Sequence, residues 1–130
     1  CRCCHLMYET SIFPISDVVR DGYGQYASEF ITTFGLVMII QILVNHKSES
    51  VPFAVGTYIF AAITYSSSTA FANPAVAIGR IFSNADASID PTSAFSFVVI
   101  QIAAGLVAFQ VCKFFILTNS KSKKVSKRKK

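Results

Sequence analysis

The stretch TAFANPAVAIGR, Thr69 to Arg80, places a polar amide and a proline between two strongly apolar segments. Its reading decides the fold. Asn73 before Pro74 is a helix-start signature: an Asn at the cap accepts from an orphan N–H, and a Pro at the first helical position has none to lose. Small neighbours such as Ala75 and Ala77 let that helix end approach another segment closely. In a soluble chain this is an ordinary helix start after the polar cluster Ser66 to Thr69, and three common residues carry little information. In a membrane it means more, because non-helical backbone at depth survives only where protein buries it or a watery cavity meets it. A short helix starting at Pro74 would then aim its positive end at the bilayer midplane.

The flanks favour the membrane. Tyr23 to Val44, YGQYASEFITTFGLVMIIQILV, has about the ~20 residues a helix needs to cross the hydrocarbon core, with Glu29 as its single carboxylate. A polar connector, NHKSES from Asn45 to Ser50, leads to VPFAVGTYIFAAITY, Val51 to Tyr65, which is apolar but short for a full span. Pro52 fits its first turn. After the opening motif comes a polar loop, SNADASIDPTS from Ser83 to Ser93, and then a last long apolar segment from Ala94 to Leu117. Gln101, Gln110 and Lys113 interrupt that last segment. The expected architecture is an all-α membrane protein with three transmembrane helices and one re-entrant half-helix.

Composition points the same way: 52% hydrophobic and 15% charged over 130 residues, with a mean hydropathy of +0.49, is too apolar for an ordinary small soluble domain. Twelve Phe and five Tyr suit lipid contact, although aromatic-rich soluble cores share that composition. Of the 12 Lys and Arg, seven lie in the last ten residues: Lys121, Lys123, Lys124, Lys127, Arg128, Lys129 and Lys130. The excess of basic residues puts the C-terminal end on the cytoplasmic side of a plasma or bacterial inner membrane. The NHKSES connector is then cytoplasmic too, and the SNADASIDPTS loop and the first twenty-odd residues lie outside. Three regions are expected: an extracytoplasmic segment 1–22, a spanning repeat 23–117 and a basic tail 118–130. Directly after a span, the seven cationic residues read as topology signal and lipid-headgroup contact, with no nucleic-acid role assigned.

Other chemistry finds little support. Cys1, Cys3, Cys4 and His5 are a dense group of soft-metal ligands, but adjacent residues do not close a tetrahedral site and no second ligand pair is spaced to complete one. No metal or cofactor is assigned. With Cys112 the only other cysteine, the spacing is not that of a disulfide framework. His46 reads as a solvated connector residue. No nucleophile, base and orienting residue occur together, so no enzymatic activity is expected. The chain opens without Met and without a signal-peptide pattern, which suggests a piece of something longer.

The motif with its flanks resembles the aquaporin family (major intrinsic proteins) from about Gly24 to Phe115. SEFITTFG is similar to that family's A-E-F-x-G-T-F repeat start. VPFAVGTYIFAA, ANPAVAIGR and VIQIAAGLVA follow in the family's order. The resemblance implies one of two inverted repeats, each of three spans plus one half-helix. NPAV looks like the first repeat, since the second usually reads NPAR, but the basic tail requires a cytoplasmic end, which only the second repeat has. The C-terminal repeat is therefore expected.

By the same resemblance Asn73 is the pore amide, Pro74 and Ala75 start its half-helix, and Glu29 is the buried glutamate that hydrogen-bonds the re-entrant backbone. An interfacial position near the helix start is the other reading of Glu29. Val76 stands where most water channels of the family keep a filter arginine, and the filter-histidine position falls near Ala61 or Ala62. A wider, less polar constriction is implied, suited to glycerol or an undissociated metalloid acid as well as water. Arg80, seven residues after Asn73 and nearly on the same helix face, either replaces part of the missing charge or snorkels to the outer interface. A missing N-terminal repeat is implied as partner, together with the lipid bilayer and a homotetramer. The alternative is a truncated half-channel with no transport of its own, acting only as an interaction partner or left as a non-functional fragment.

Overall fold

The structure, a computed structural model, describes residues 14–46, 48–83 and 85–128, with side chains described as far as Phe115. Cys1, Cys3, Cys4, His5, Lys129 and Lys130 lie outside the described residues, as do the side chains of Lys121, Lys123, Lys124, Lys127 and Arg128. Among the described residues there are four helices and no strand: α1 (Tyr23–Asn45), α2 (Val51–Tyr65), α3 (Pro74–Ile81) and α4 (Pro91–Arg128). The regular structure of the described residues is all helical. α1 and the Pro91–Phe115 part of α4 are long and apolar enough to cross a membrane. α2, at 15 residues, reaches only about 22 Å at 1.5 Å per residue.

Two boundaries differ from those read in the sequence. α4 starts at Pro91 instead of Ala94, because both Asp90 carboxylate oxygens accept from Ser93 N and one also from Thr92 N, with Pro91 in the N-H-free first position. At its other end the helical backbone runs to Arg128, past the expected stop at Leu117. No Gly or Pro occurs after Gly105, and Lys and Arg are good helix formers, so nothing local ends it.

α4 buries one stripe. Ala94, Phe97, Gln101, Ala104, Ala108 and Cys112 are all buried, spaced by three or four residues, which places them on one helical face. That face packs along α1, and α3 also packs on α4. Four of the six residues are small, which brings backbones close where no hydrophobic driving force separates protein from lipid. Opposite them α1 buries Glu29, Thr32 and Thr33, all polar.

Among the described helices α2 packs on α1 alone. Its registry is fixed where the Tyr58 hydroxyl donates to the Thr32 carbonyl at 3.0 Å. Gly35 is needed there: a Cβ at that position would run into the Tyr58 hydroxyl.

The chain before α1 is an extended strap over the C-terminal end of α3 and the α3–α4 loop. Ser16 N donates to Ile81 O at 2.9 Å, Asp90 N donates to Val18 O at 2.9 Å, and Arg20 N donates to Ser93 Oγ at 3.1 Å. Beneath it Phe71, Ala77, Ile89, Ala94 and Phe97 form the apolar core, with Phe71 and Phe97 meeting edge to face at 5.7 Å.

Candidate functional site

The segment that joins α2 to α3 is neither helix nor strand. Thr69, Ala70 and Ala72 have φ of 61°, 48° and 47°, the left-handed region that L-residues with a Cβ visit at a cost of roughly 1–2 kcal/mol each. Three such residues within four positions persist only where surrounding contacts over-determine the path. Those contacts converge on one side chain.

Glu29 is fully buried in the middle of the segment's contacts. Its Oε1 accepts from Ser68 Oγ at 2.6 Å and from Phe71 N at 2.9 Å. Its Oε2 accepts from Ala72 N at 3.0 Å and from Gln101 Nε2 at 2.7 Å. The backbone and amide partners can only donate, so the geometry suits an ionised carboxylate with both oxygens doubly satisfied. The left-handed residues are what turn the N–H groups of Phe71 and Ala72 toward it. One carboxylate on α1 thereby ties the connecting segment to α4 as well, through Gln101.

The segment ends in the cap of α3. Asn73 is extended, its Oδ1 accepts from Ala75 N at 2.9 Å, and its carbonyl accepts from Val76 N and Ala77 N at 3.0 and 3.1 Å. With Pro74 lacking an N–H, the first turn of α3 is fully accounted for. The side chain of Asn73 is exposed, and its amide nitrogen has no partner among the described residues.

The residues expected to line a pathway are distributed as follows. Ala75 and Val76 are exposed on α3, with Pro74 partly covered. On α2, Ala61 is exposed and Ala62 is fully buried. Arg80, partly buried, donates from Nη1 to Ala87 O at 2.8 Å, and its guanidinium carbon lies 5.2 Å from the centre of the Phe71 ring.

Three contributors were not singled out in the sequence. Ser68 and Gln101 appeared there only as members of a polar cluster and as an interruption in an apolar segment, although a buried amide in a spanning helix is itself a signal that a polar partner faces it. Arg20 was there only one of the 12 Lys and Arg. It is 8% exposed, donates to Ser88 O and Asp86 O, both at 2.7 Å, and lies 5.4 Å from the Phe71 ring centre. Burial, and then the neighbouring Arg80 charge, push its pKa down, with Glu29 opposing.

A buried carboxylate that holds a strained segment against an Asn-capped short helix, between helices long enough to span a bilayer, defines an all-helical membrane protein. The chain is 37% identical over 112 residues to "Aquaglyceroporin AqpS" of Rhizobium meliloti (strain 1021), a match over 86% of this chain and 48% of that relative. It belongs to the aquaporin family of major intrinsic proteins. The matched region thus spans about half the length of that curated relative. No family model and no solved structure matches it.

Proposed function

We propose that this chain forms half of a passive transmembrane channel for water and small neutral solutes, glycerol or an undissociated metalloid acid. α1, α2 and α4 are its spans and α3 is its re-entrant half-helix, and residues 23–117 make up one repeat, the second and C-terminal one. The carrying observation is the amide nitrogen of Asn73 at the start of α3, which has no partner among the described residues while its Oδ1 is held by the cap bond from Ala75 N. A donor held there orients a solute oxygen, and the positive end of α3 disfavours a cation.

Acceptors stand next to that donor. The carbonyls of residues 69–72 receive no hydrogen bond among the described residues, so they are available to hydroxyl groups. A line of carbonyls followed by one amide suits a solute that both donates and accepts. Val76, exposed and apolar, leaves room for carbon atoms beside it, as do Ala61 and Ala62 in the wider constriction proposed. No bond is made or broken in such passage, so no catalytic residue or cofactor is invoked.

The name of the relative supports this reading, and its doubled length supports a second half for the pore: an N-terminal repeat, supplied by the rest of a longer chain or by a separate one. Four such pores are proposed to assemble as a homotetramer in the bilayer, with the basic residues after α4 on cytoplasmic lipid headgroups. The same half-length match favours a second reading, a half-channel without transport of its own. Stopped-flow swelling of proteoliposomes separates the two. Glycerol or water entry well above that of empty vesicles supports a conducting assembly, and entry no faster than empty vesicles rejects autonomous conduction.

A further inference from the structure

We infer that Arg20 and Arg80 together supply the positive charge along the α3 flank of the pathway, taking the place of a cation at Val76 as the determinant of charge selection.

The observations are geometric. Val76 and Arg80 lie one turn apart on the same face of α3. The Arg80 guanidinium lies 5.2 Å from the centre of the ring of Phe71, two residues before Asn73. Arg20 reaches the same ring from the strap, at 5.4 Å. Two cations therefore share one aromatic side chain.

Neither has a carboxylate among its hydrogen-bond partners within the described residues. Arg20 binds the carbonyls of Ser88 and Asp86, and Arg80 the carbonyl of Ala87, three consecutive residues of the α3–α4 loop. Carbonyls fix the guanidiniums in place without neutralising them. The charge of Glu29 opposes the lowering of the Arg20 pKa by burial and by Arg80, and the Glu29 oxygens are taken by four other donors. Arg80 commits one of its five N–H donors within the described residues, so it can also turn toward solute or water.

The inference rests on the channel reading only in treating the Val76 flank as water-reachable, and its test does not depend on conduction. In the full chain with Cys1, Cys3, Cys4 and Cys112 replaced by Ser, Val76→Cys is modified in liposomes by an anionic sulfonate thiosulfonate and by a cationic trimethylammonium thiosulfonate. The anionic reagent is expected to react faster, relative to each reagent's rate with a free thiol. Arg20→Gln with Arg80→Gln should lower the anionic-to-cationic ratio by about tenfold, less at high salt. Arg20→Lys with Arg80→Lys, which keeps the charge, should preserve it.

If the double Gln variant does not fold, Arg80→Gln alone must still lower the ratio. A ratio indifferent to these substitutions, or a thiol at position 76 that neither reagent reaches, overturns the inference. Glycerol entry measured in the same vesicles without the thiol reports on the channel reading separately: its absence removes that reading and leaves the charge result standing.

Discussion

Gln101 Nε2 lies 2.7 Å from Glu29 Oε2, joining the two long helices α1 and α4 through a side-chain pair 72 residues apart. The contact completes the fourfold saturation of a carboxylate that also holds Ser68, Phe71 and Ala72. Apolar packing alone would leave α1 and α4 free to slide past each other in lipid. A hydrogen-bonded charge fixes their register and the path of the segment between α2 and α3 together.

Glu29→Gln puts an amide N–H against a group of donors and removes the charge they solvate. A loss of roughly 3–5 kcal/mol is expected. Thermal or denaturant unfolding in detergent measures it. Gln101→Leu should cost less, about 1–3 kcal/mol, and the double variant less than the sum of the two. Additive losses would show that the pair does not act as a unit.

Gly35→Ala should gain nothing, although alanine is the better helix former by about 1 kcal/mol, because the new Cβ displaces the Tyr58 hydroxyl from Thr32 O. In a Tyr58→Ala background the same change should stabilise by about 1 kcal/mol. A double-mutant cycle in detergent unfolding checks this, and equal effects in both backgrounds would refute the close approach.

Asp90 carries a pH dependence of known sign. Desolvation raises its pKa, but hydrogen bonds from Ser93 and Thr92 outweigh it and hold the carboxyl below its ordinary 3.8. A depressed folded-state pKa contributes stability that is present above the ordinary value and lost as pH falls through the folded one. Asp90→Ala should cost about 1 kcal/mol at neutral pH and converge with the parent in acid. Asn at the same place should keep most of the cap and lose the acid sensitivity. Unfolding midpoints between neutral pH and about pH 3 provide the comparison.

Val76→Arg places a long cation beside Asn73 and near two others. Glycerol entry is expected to fall by tenfold or more on the order expected for a filled constriction, with water entry falling far less. Equal losses for both solutes, read by stopped-flow light scattering, would count against a constriction at this position.

The sequence by itself determined the helices and the family. Apolar runs of spanning length, a proline-led short helix and the ANPAVAIGR motif with its flanks are local features, and α2 begins and ends where its composition says. It also carried the start of α4, in the Asp90 cap before Pro91, a signal that was legible but outweighed by the polarity of its surroundings. The tertiary structure alone decided what Glu29 does. A single carboxylate in an apolar run has no address until the backbone N–H groups of Phe71 and Ala72 are turned toward it, and that turning depends on left-handed φ values at alanines and a threonine, which no propensity predicts. The same holds for Arg20, whose role comes from a strap that crosses to a loop nearly seventy residues away, where it donates to Ser88 O and Asp86 O. Helices follow from interactions between near neighbours, whereas a site that brings donors from two separate segments to a carboxylate on a third exists only once the chain has packed.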